Sequence, residues 1–261
     1  MALMPVADAY AAVLRDAAAL PEETVSLTEA HHRTLSRDIA ALRTQPPAAM
    51  SAMDGYAVRA ADAALGARLK VIGEVAAGRP FDQAIAAGQA ARIFTGGVVP
   101  DGADAIVIQE DTTQDGDTVI VNEASTPGKN IRKAGIDFNQ GDVLLPRGAL
   151  LNDRALALAA GMNHPHLPVH RRPRVELVAP GSSLAPGQII FSNVFALTAL
   201  ARSEGAETID LGIARDTLES TTDGIRRARN SGADVLVTTG GASVGDHDLV
   251  QAALKAEGTD M

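Results

Sequence analysis

The sequence predicts a multi-domain protein of the α/β plus β class, and three observations carry that expectation. Beyond Pro173 the pattern alternates strand and helix three times, as in a mainly parallel sheet covered by helices. Between Ala41 and Asn122 the period is strand-like and broken by turn residues, which describes a compact β-domain. A length of 261 residues suits two domains, or more where one is inserted in another.

Taken in order, residues 5–20 predict a helix with Pro5 at its start and Val6, Tyr10, Val13 and Leu14 along one face. This helix is expected to return and pack on the C-terminal α/β domain. Residues 28–35 predict a second, short helix with Thr28 as N-cap. Strands are predicted at 69–75, 91–94, 105–108 and 118–121, the last two joined by a polar stretch containing the turn dipeptide Asp115-Gly116. Residues 141–173 predict a connector, with a strand at 143–145, a helix opening at Asn152, and Pro165, Pro168 and Pro173 as punctuation. Strands at 175–178, 208–211 and 235–238 then alternate with helices at 193–204, 216–230 and 246–257. Gly205, Gly232 and Gly258 follow these helices, where a left-handed residue ends a helix cheaply.

Composition narrows the function classes. With no cysteine the chain excludes disulfides, thiolate metal sites and a cysteine nucleophile. A net charge of −9 and 3% aromatic residues argue against nucleic acid, which needs a basic surface and stacking platforms. The N-terminus lacks the basic and apolar regions of a signal peptide, and no segment approaches ~18 uninterrupted apolar residues. A cytoplasmic protein without nucleic-acid or membrane partners is the expectation.

Three segments carry candidate chemistry. In α/β sheets ligands sit beyond the carboxyl ends of strands, and after the strand at 235–238 the chain reads Thr239-Gly240-Gly241-Ala242-Ser243-Val244-Gly245-Asp246-His247-Asp248. Bare amides, the Ser243 hydroxyl and a helix N-terminus would hold an anionic group without lysine. A tight turn capped by Asp246 or Asp248 explains the same residues without a ligand. Asp54 lies in Ser51-Ala52-Met53-Asp54-Gly55, and on local evidence Asp-Gly reads first as a turn. Lys129, Arg132, Lys133 and Asp137 form the third segment, where bases would meet phosphate and the acid a cation, unless the loop is simply solvated. His31, His32, His164, His166 and His170 lack metal-ligand spacing. Gly241-x-Ser243-x-Gly245 matches a nucleophile elbow, yet no histidine follows His247 to complete a triad in chain order.

Together Ser51-Ala52-Met53-Asp54-Gly55-Tyr56-Ala57, Arg92-Ile93-Phe94-Thr95-Gly96, Pro100-Asp101-Gly102-Ala103-Asp104 and the Thr239–Asp246 loop resemble the MoeA family, the molybdopterin molybdenumtransferases that include the E domain of gephyrin. Asn130-Ile131-Arg132 through Asp137, and Ser192-Asn193, extend the resemblance over nearly the whole chain. It implies a molybdenum-cofactor-binding-like α/β domain formed by residues 3–21 and 174–261, an inserted β-domain at 41–141, and a connector domain at 22–40 and 142–173. It also implies insertion of molybdenum from molybdate into adenylylated molybdopterin, with release of AMP and dependence on Mg²⁺.

By the same resemblance the protein is a homodimer whose site combines Asp54 and Asp137 from one subunit with Gly240, Gly241, Ser243 and Asp248 from the other. Asp54, Asp137 and Asp248 are the implied catalytic residues, with Asp54 and Asp137 as metal ligands. Gly240, Gly241, Ser243, Gly245, Asn193 and Arg132 are the implied substrate contacts. Carboxylates are intelligible beside an anionic pterin nucleotide when they hold Mg²⁺, position water or meet polar pterin atoms.

The chain departs from the family at two places. Ala179-Pro180-Gly181-Ser182-Ser183-Leu184 stands where members carry Thr-Gly-Asp-Glu-Leu, and Phe191 precedes Ser192-Asn193 where members carry an acid. The resemblance further implies a lysine-bearing segment and a small β-domain beyond Met261. The alternatives are a non-catalytic pterin-binding or scaffold protein and, more distantly, a serine hydrolase.

Overall fold

The computed structural model describes residues 4–79, 81–180, 192–215, 217–239 and 249–258. In chain order its longer elements are α1 (Val6–Leu14), β1 (Glu22–Ser26), β2 (Ile39–Ala40), β3 (Met50–Ser51), β4 (Gly55–Val58), β5 (Arg68–Val75), β6 (Gln89–Ile93), β7 (Ala105–Ile108), β8 (Thr112–Asp115), β9 (Thr118–Val121), β10 (Ile131–Arg132) and β11 (Val143–Leu145). They continue with α2 (Asp153–Gly161), β12 (His166–His170), β13 (Arg174–Pro180), α3 (Asn193–Ser203), β14 (Glu207–Ala214), α4 (Leu218–Ser231), β15 (Val235–Thr238) and α5 (Leu249–Ala256). These elements fall into two compact units. The first comprises Met1–Arg37, Gly148–Asn152 and His166–Met261; the second comprises Asp38–Arg147 and Asp153–Pro165.

The second unit is built on a six-stranded sheet of order β7-β4-β6-β5-β9-β8. Its centre is apolar on both faces, because successive side chains point to opposite sides. Tyr56, Val58, Ala90 and Val107 enter one core, and Ala57, Ala91, Ile93 and Ile106 enter the other. Two short pairs, β10 with β3 and β11 with β2, complete the sheets of this unit. The polar stretch before Thr118 contains a strand that sequence reading passed over: β8 forms a hairpin with β9 around Asp115-Gly116. Its partly exposed, polar residues gave no hydrophobic alternation to detect.

In the first unit β14, β13 and β15 form a parallel sheet with β13 central, as the alternation after Pro173 predicts. The Thr217 hydroxyl accepts from the Ser220 amide at the start of α4. Gly232 closes that helix at φ 78°, with Gly205 and Gly258 left-handed at φ 85° and 77° after the neighbouring helices. Asp234 locks the sheet edge: Arg171 donates Nη1 to Oδ2 and Nη2 to Oδ1, both at 2.6 Å, and the Arg174 amide donates to Oδ2 at 2.8 Å. These donors hold the Asp234 carboxyl down at about 2, the Arg171 guanidinium contributing most. One core residue is discordant. Glu176, in β13, is 1% exposed; the Ser231 hydroxyl meets its Oε1, while Oε2 has no partner among the described residues.

Several expectations are corrected. The first helix ends at Leu14 instead of residue 20; none of its residues is buried, and Val6, Tyr10 and Val13 are exposed. Pro21 disfavours helix in the residue before it, and so short a segment is marginal as a helix by itself. The helix expected at 28–35 is a series of turns, in which His32 takes φ 57° and Leu35 bridges to Val169. Burial of Leu35 by this long-range pairing overrides local helix propensity. Pro168 lies within β12 opposite Thr24 of β1, and its carbonyl still accepts from the Ser36 amide at 3.2 Å, so the strand carries a residue without an amide.

Candidate functional site

The residues of the signature segments meet in the second unit through backbone pairing. Ser51 and Met50 pair with Ile131 and Arg132. The Ser51 amide donates to the Gly97 carbonyl at 2.9 Å, and the Gly96 amide returns a bond to the Ser51 carbonyl at 2.9 Å. Ala52 donates to the Asn130 carbonyl at 2.9 Å. Asn130 stands at φ 59°, a left-handed position that asparagine tolerates, and its side-chain amide donates to the Ile106 carbonyl at 3.0 Å. Stretches about 40 residues apart are thus fastened into one loop cluster.

Asp54 is fixed within this cluster. Its Oδ1 accepts from both the Thr95 amide and the Thr95 hydroxyl at 2.8 Å. Its own carbonyl accepts from the Gln109 amide at 3.0 Å. The Thr95 amide, then the Thr95 hydroxyl and the charge of Arg92, hold its carboxyl below the ordinary aspartate value. Oδ2 has no hydrogen-bond partner among the described residues. The glycine that follows is dictated by packing: a Cβ at Gly55 would lie 2.1 Å from the Val107 carbonyl oxygen across β7. Asp-Gly is therefore the entry to a central strand, and the turn reading favoured by local sequence is corrected.

Asp137 has a different environment. Arg132 Nη2 contacts both of its oxygens, at 2.8 and 3.0 Å, so the base expected to meet phosphate and the acid expected to meet a cation neutralise each other. Both side chains are well exposed, and such a pair is worth little to stability. The Gln45 carbonyl holds the Asp137 amide at 3.1 Å. Lys129 pairs with Glu123 at 2.7 Å, away from the role first considered for it.

Among the described residues no group of three His, Asp or Glu side chains is arranged to hold a metal ion. Asp54 fits one carboxylate contact to a hard cation that draws its other ligands from water and substrate, the usual habit of Mg²⁺. Asp137 fits that role only by exchanging Arg132 for the ion. His164 and His170 instead place ring nitrogens on the carbonyls of Ala40 and Leu20. Asn193 is the first residue of α3, exposed beside Ser192. Gly240, Gly241, Ser243, Gly245 and Asp248 lie outside the described residues, as do His247, Ser182, Ser183 and Phe191.

Sequence reading assigned no role to Thr95, Arg92 or Gln109, although the first two lie in a quoted motif. Their contacts with the Asp54 loop span 37 to 55 positions, beyond any local spacing rule. The remaining signal was the Thr95-Gly96 pair just after a strand.

The β-domain carries this signature and is followed in the chain by a parallel α/β sheet. The model of the MoeA N-terminal region, domains I and II, matches residues 4–162, and that of a probable molybdopterin binding domain matches residues 176–261. The chain belongs to the MoeA family. It is 38% identical over 251 residues to the molybdopterin molybdenumtransferase of Nostoc sp., covering 92% of this chain and 57% of that relative. The molybdopterin molybdenumtransferase of Haemophilus influenzae is 37% identical over 244 residues, covering 90% of this chain and 60% of its own length. Among solved structures, the molybdopterin biosynthesis moeA protein from Pyrococcus horikoshii OT3 superposes with a TM-score of 0.85 at 30% identity, over 92% of this chain and 67% of that one. The chain thus spans about three fifths of the curated relatives it matches.

Proposed function

We propose that this chain serves molybdenum-cofactor biosynthesis, inserting molybdenum from molybdate into adenylylated molybdopterin with release of AMP. The observation that carries the reading is Asp54: a carboxylate pinned through one oxygen, with no partner for the other among the described residues, inside the family's signature loop. We assign it the ligand-facing role, with Asp137, Asp248, Arg132, Asn193, Gly240, Gly241, Ser243 and Gly245 as its proposed companions. Mg²⁺, when bound, would screen the charge of the diphosphate and molybdate. Asp54 would hold it, and Asp137 would join after release from Arg132. The chain's own part is positioning: bare amides of the 240–245 loop orient the nucleotide while ionised Asp54 stays fixed against Thr95.

We further propose a cytoplasmic homodimer in which Asp54 and Asp137 of one subunit face the glycine loop of the other. The connector, inserted β-domain and α/β domain boundaries are part of the same proposal. The protein is incubated with adenylylated molybdopterin, molybdate and Mg²⁺, and AMP is measured. Metal-dependent AMP release supports insertion, whereas no release overturns it.

A second reading, pterin binding without turnover, is favoured by the Arg132–Asp137 pair, which occupies one of the two acids assigned to metal. It predicts calorimetric binding of the pterin nucleotide with no AMP.

A further inference from the structure

We propose that Arg92 and Gln109 form a clamp that positions Asp54, aiming Oδ2 of its carboxylate at the ligand. The inference rests on the ligand-facing role of Asp54 proposed above and adds two positioning residues to it.

The clamp closes on consecutive carbonyls. The Gln109 main-chain amide donates to the Asp54 carbonyl at 3.0 Å. Arg92 Nη1 donates to the Gly55 carbonyl at 3.1 Å, and Arg92 Nη2 donates to the Gln109 side-chain oxygen at 2.6 Å. The ring closed by these three bonds contains the two carbonyls that flank Gly55, those of Asp54 and of Gly55 itself. Thr95 then fixes Oδ1, so backbone and side chain of Asp54 are held from separate strands and loops. The Arg92 guanidinium is itself held in place, 5.2 Å from the Tyr56 ring centroid and 5.0 Å from that of Phe94.

The partners chosen by this arginine distinguish positioning from neutralisation. Arg132 grips both oxygens of Asp137, and Arg171 grips both oxygens of Asp234. Arg92 has no carboxylate within ion-pair distance among the described residues. It spends its donors on a carbonyl and an amide oxygen, leaving the nearby Asp54 charged and one oxygen unclaimed. A guanidinium bonded directly to Asp54 would compete with any metal or substrate donor for that oxygen. Arg92, Gln109 and Tyr56 also line an open cavity of about 810 Å³, so shortening either clamp side chain admits water in place of the lost bond.

The test compares the whole chain with Arg92→Met, Arg92→Lys and Gln109→Ala by NMR, using amide dispersion to establish that each variant is folded. Three-bond couplings report the Asp54 side-chain rotamer without any metal. Wild type is expected to show one rotamer, Arg92→Met to show averaging, and Arg92→Lys to recover part of the order. Equal couplings in wild type, Arg92→Met and Gln109→Ala overturn the clamp. Asp54 carboxyl shifts are then followed during MgCl₂ titration, where loss of the clamp is expected to raise the half-saturating concentration about tenfold. Absence of any Mg²⁺ response in wild type removes the metal role of Asp54, while the couplings still decide the clamp. If Arg92→Met does not fold, Gln109→Ala carries both readouts.

Discussion

Replacing Gly55 by alanine tests why the signature requires glycine after its aspartate. An added Cβ would stand 2.1 Å from the Val107 carbonyl oxygen and 2.9 Å from the Ile108 Cα, both backbone atoms of β7. Carbon and oxygen tolerate roughly 3.3 Å, so β4 and β7 must separate by about 1 Å. That shift lengthens hydrogen bonds of the Gly55–Ile108 pairing beyond useful range. Overpacking costs about 1–3 kcal/mol, and each lost bond adds about 1 kcal/mol. A loss of about 3 kcal/mol is the expected result, a large part of the ~5–15 kcal/mol that stabilises a domain. Urea unfolding followed by circular dichroism gives the magnitude, with Gly161→Ala as control because its new methyl meets only the Phe138 ring, at 3.9 Å. Equal midpoints for wild type and Gly55→Ala would refute the close-approach argument.

Thr95→Val keeps the amide donor and removes the hydroxyl, so the Asp54 carboxyl should titrate higher than in wild type; carbon-detected NMR reads the change, and an unaltered midpoint contradicts the assigned bond. Asp234→Asn should destabilise the first unit by roughly 1–2 kcal/mol at neutral pH, less than the full shift implies because the pair is partly solvated. The folded-state value is depressed, so this stabilisation is present above about 4 and is lost as pH falls toward about 2. Denaturation curves of the two proteins should therefore converge in acid, and a pH-independent gap would exclude the linkage. Glu176→Leu removes a buried carboxyl oxygen that has no partner among the described residues and should raise the unfolding free energy by about 1–3 kcal/mol; a lowered melting temperature would mean that Oε2 is satisfied in solution.

Local pattern made much of the first unit legible. Val235–Thr238 reads as a strand because four apolar or β-branched residues stand between an acid and a glycine loop, and Gly232 ends α4 where only glycine is left-handed without strain. The Thr28–Leu35 segment shows the opposite case, since its helical spacing loses to pairing of Leu35 with Val169. The candidate site divides in the same way. The motif carrying Asp54 is contiguous and could be read directly, as could the acid and base content of the 129–137 loop.

The sequence by itself determined the class of each half, the strand and helix periods, and which loop holds the carboxylate Asp54. Only the tertiary structure decided that Thr95 holds that carboxylate, that Gln109 and Arg92 bond the Asp54 and Gly55 carbonyls, that Arg132 neutralises Asp137, and that Gly55 makes room for a neighbouring strand. The physical reason is range. Periodicity and capping act within a few residues and leave their mark in order and spacing, whereas these contacts form between distant strands and depend on a register that only the folded sheet sets.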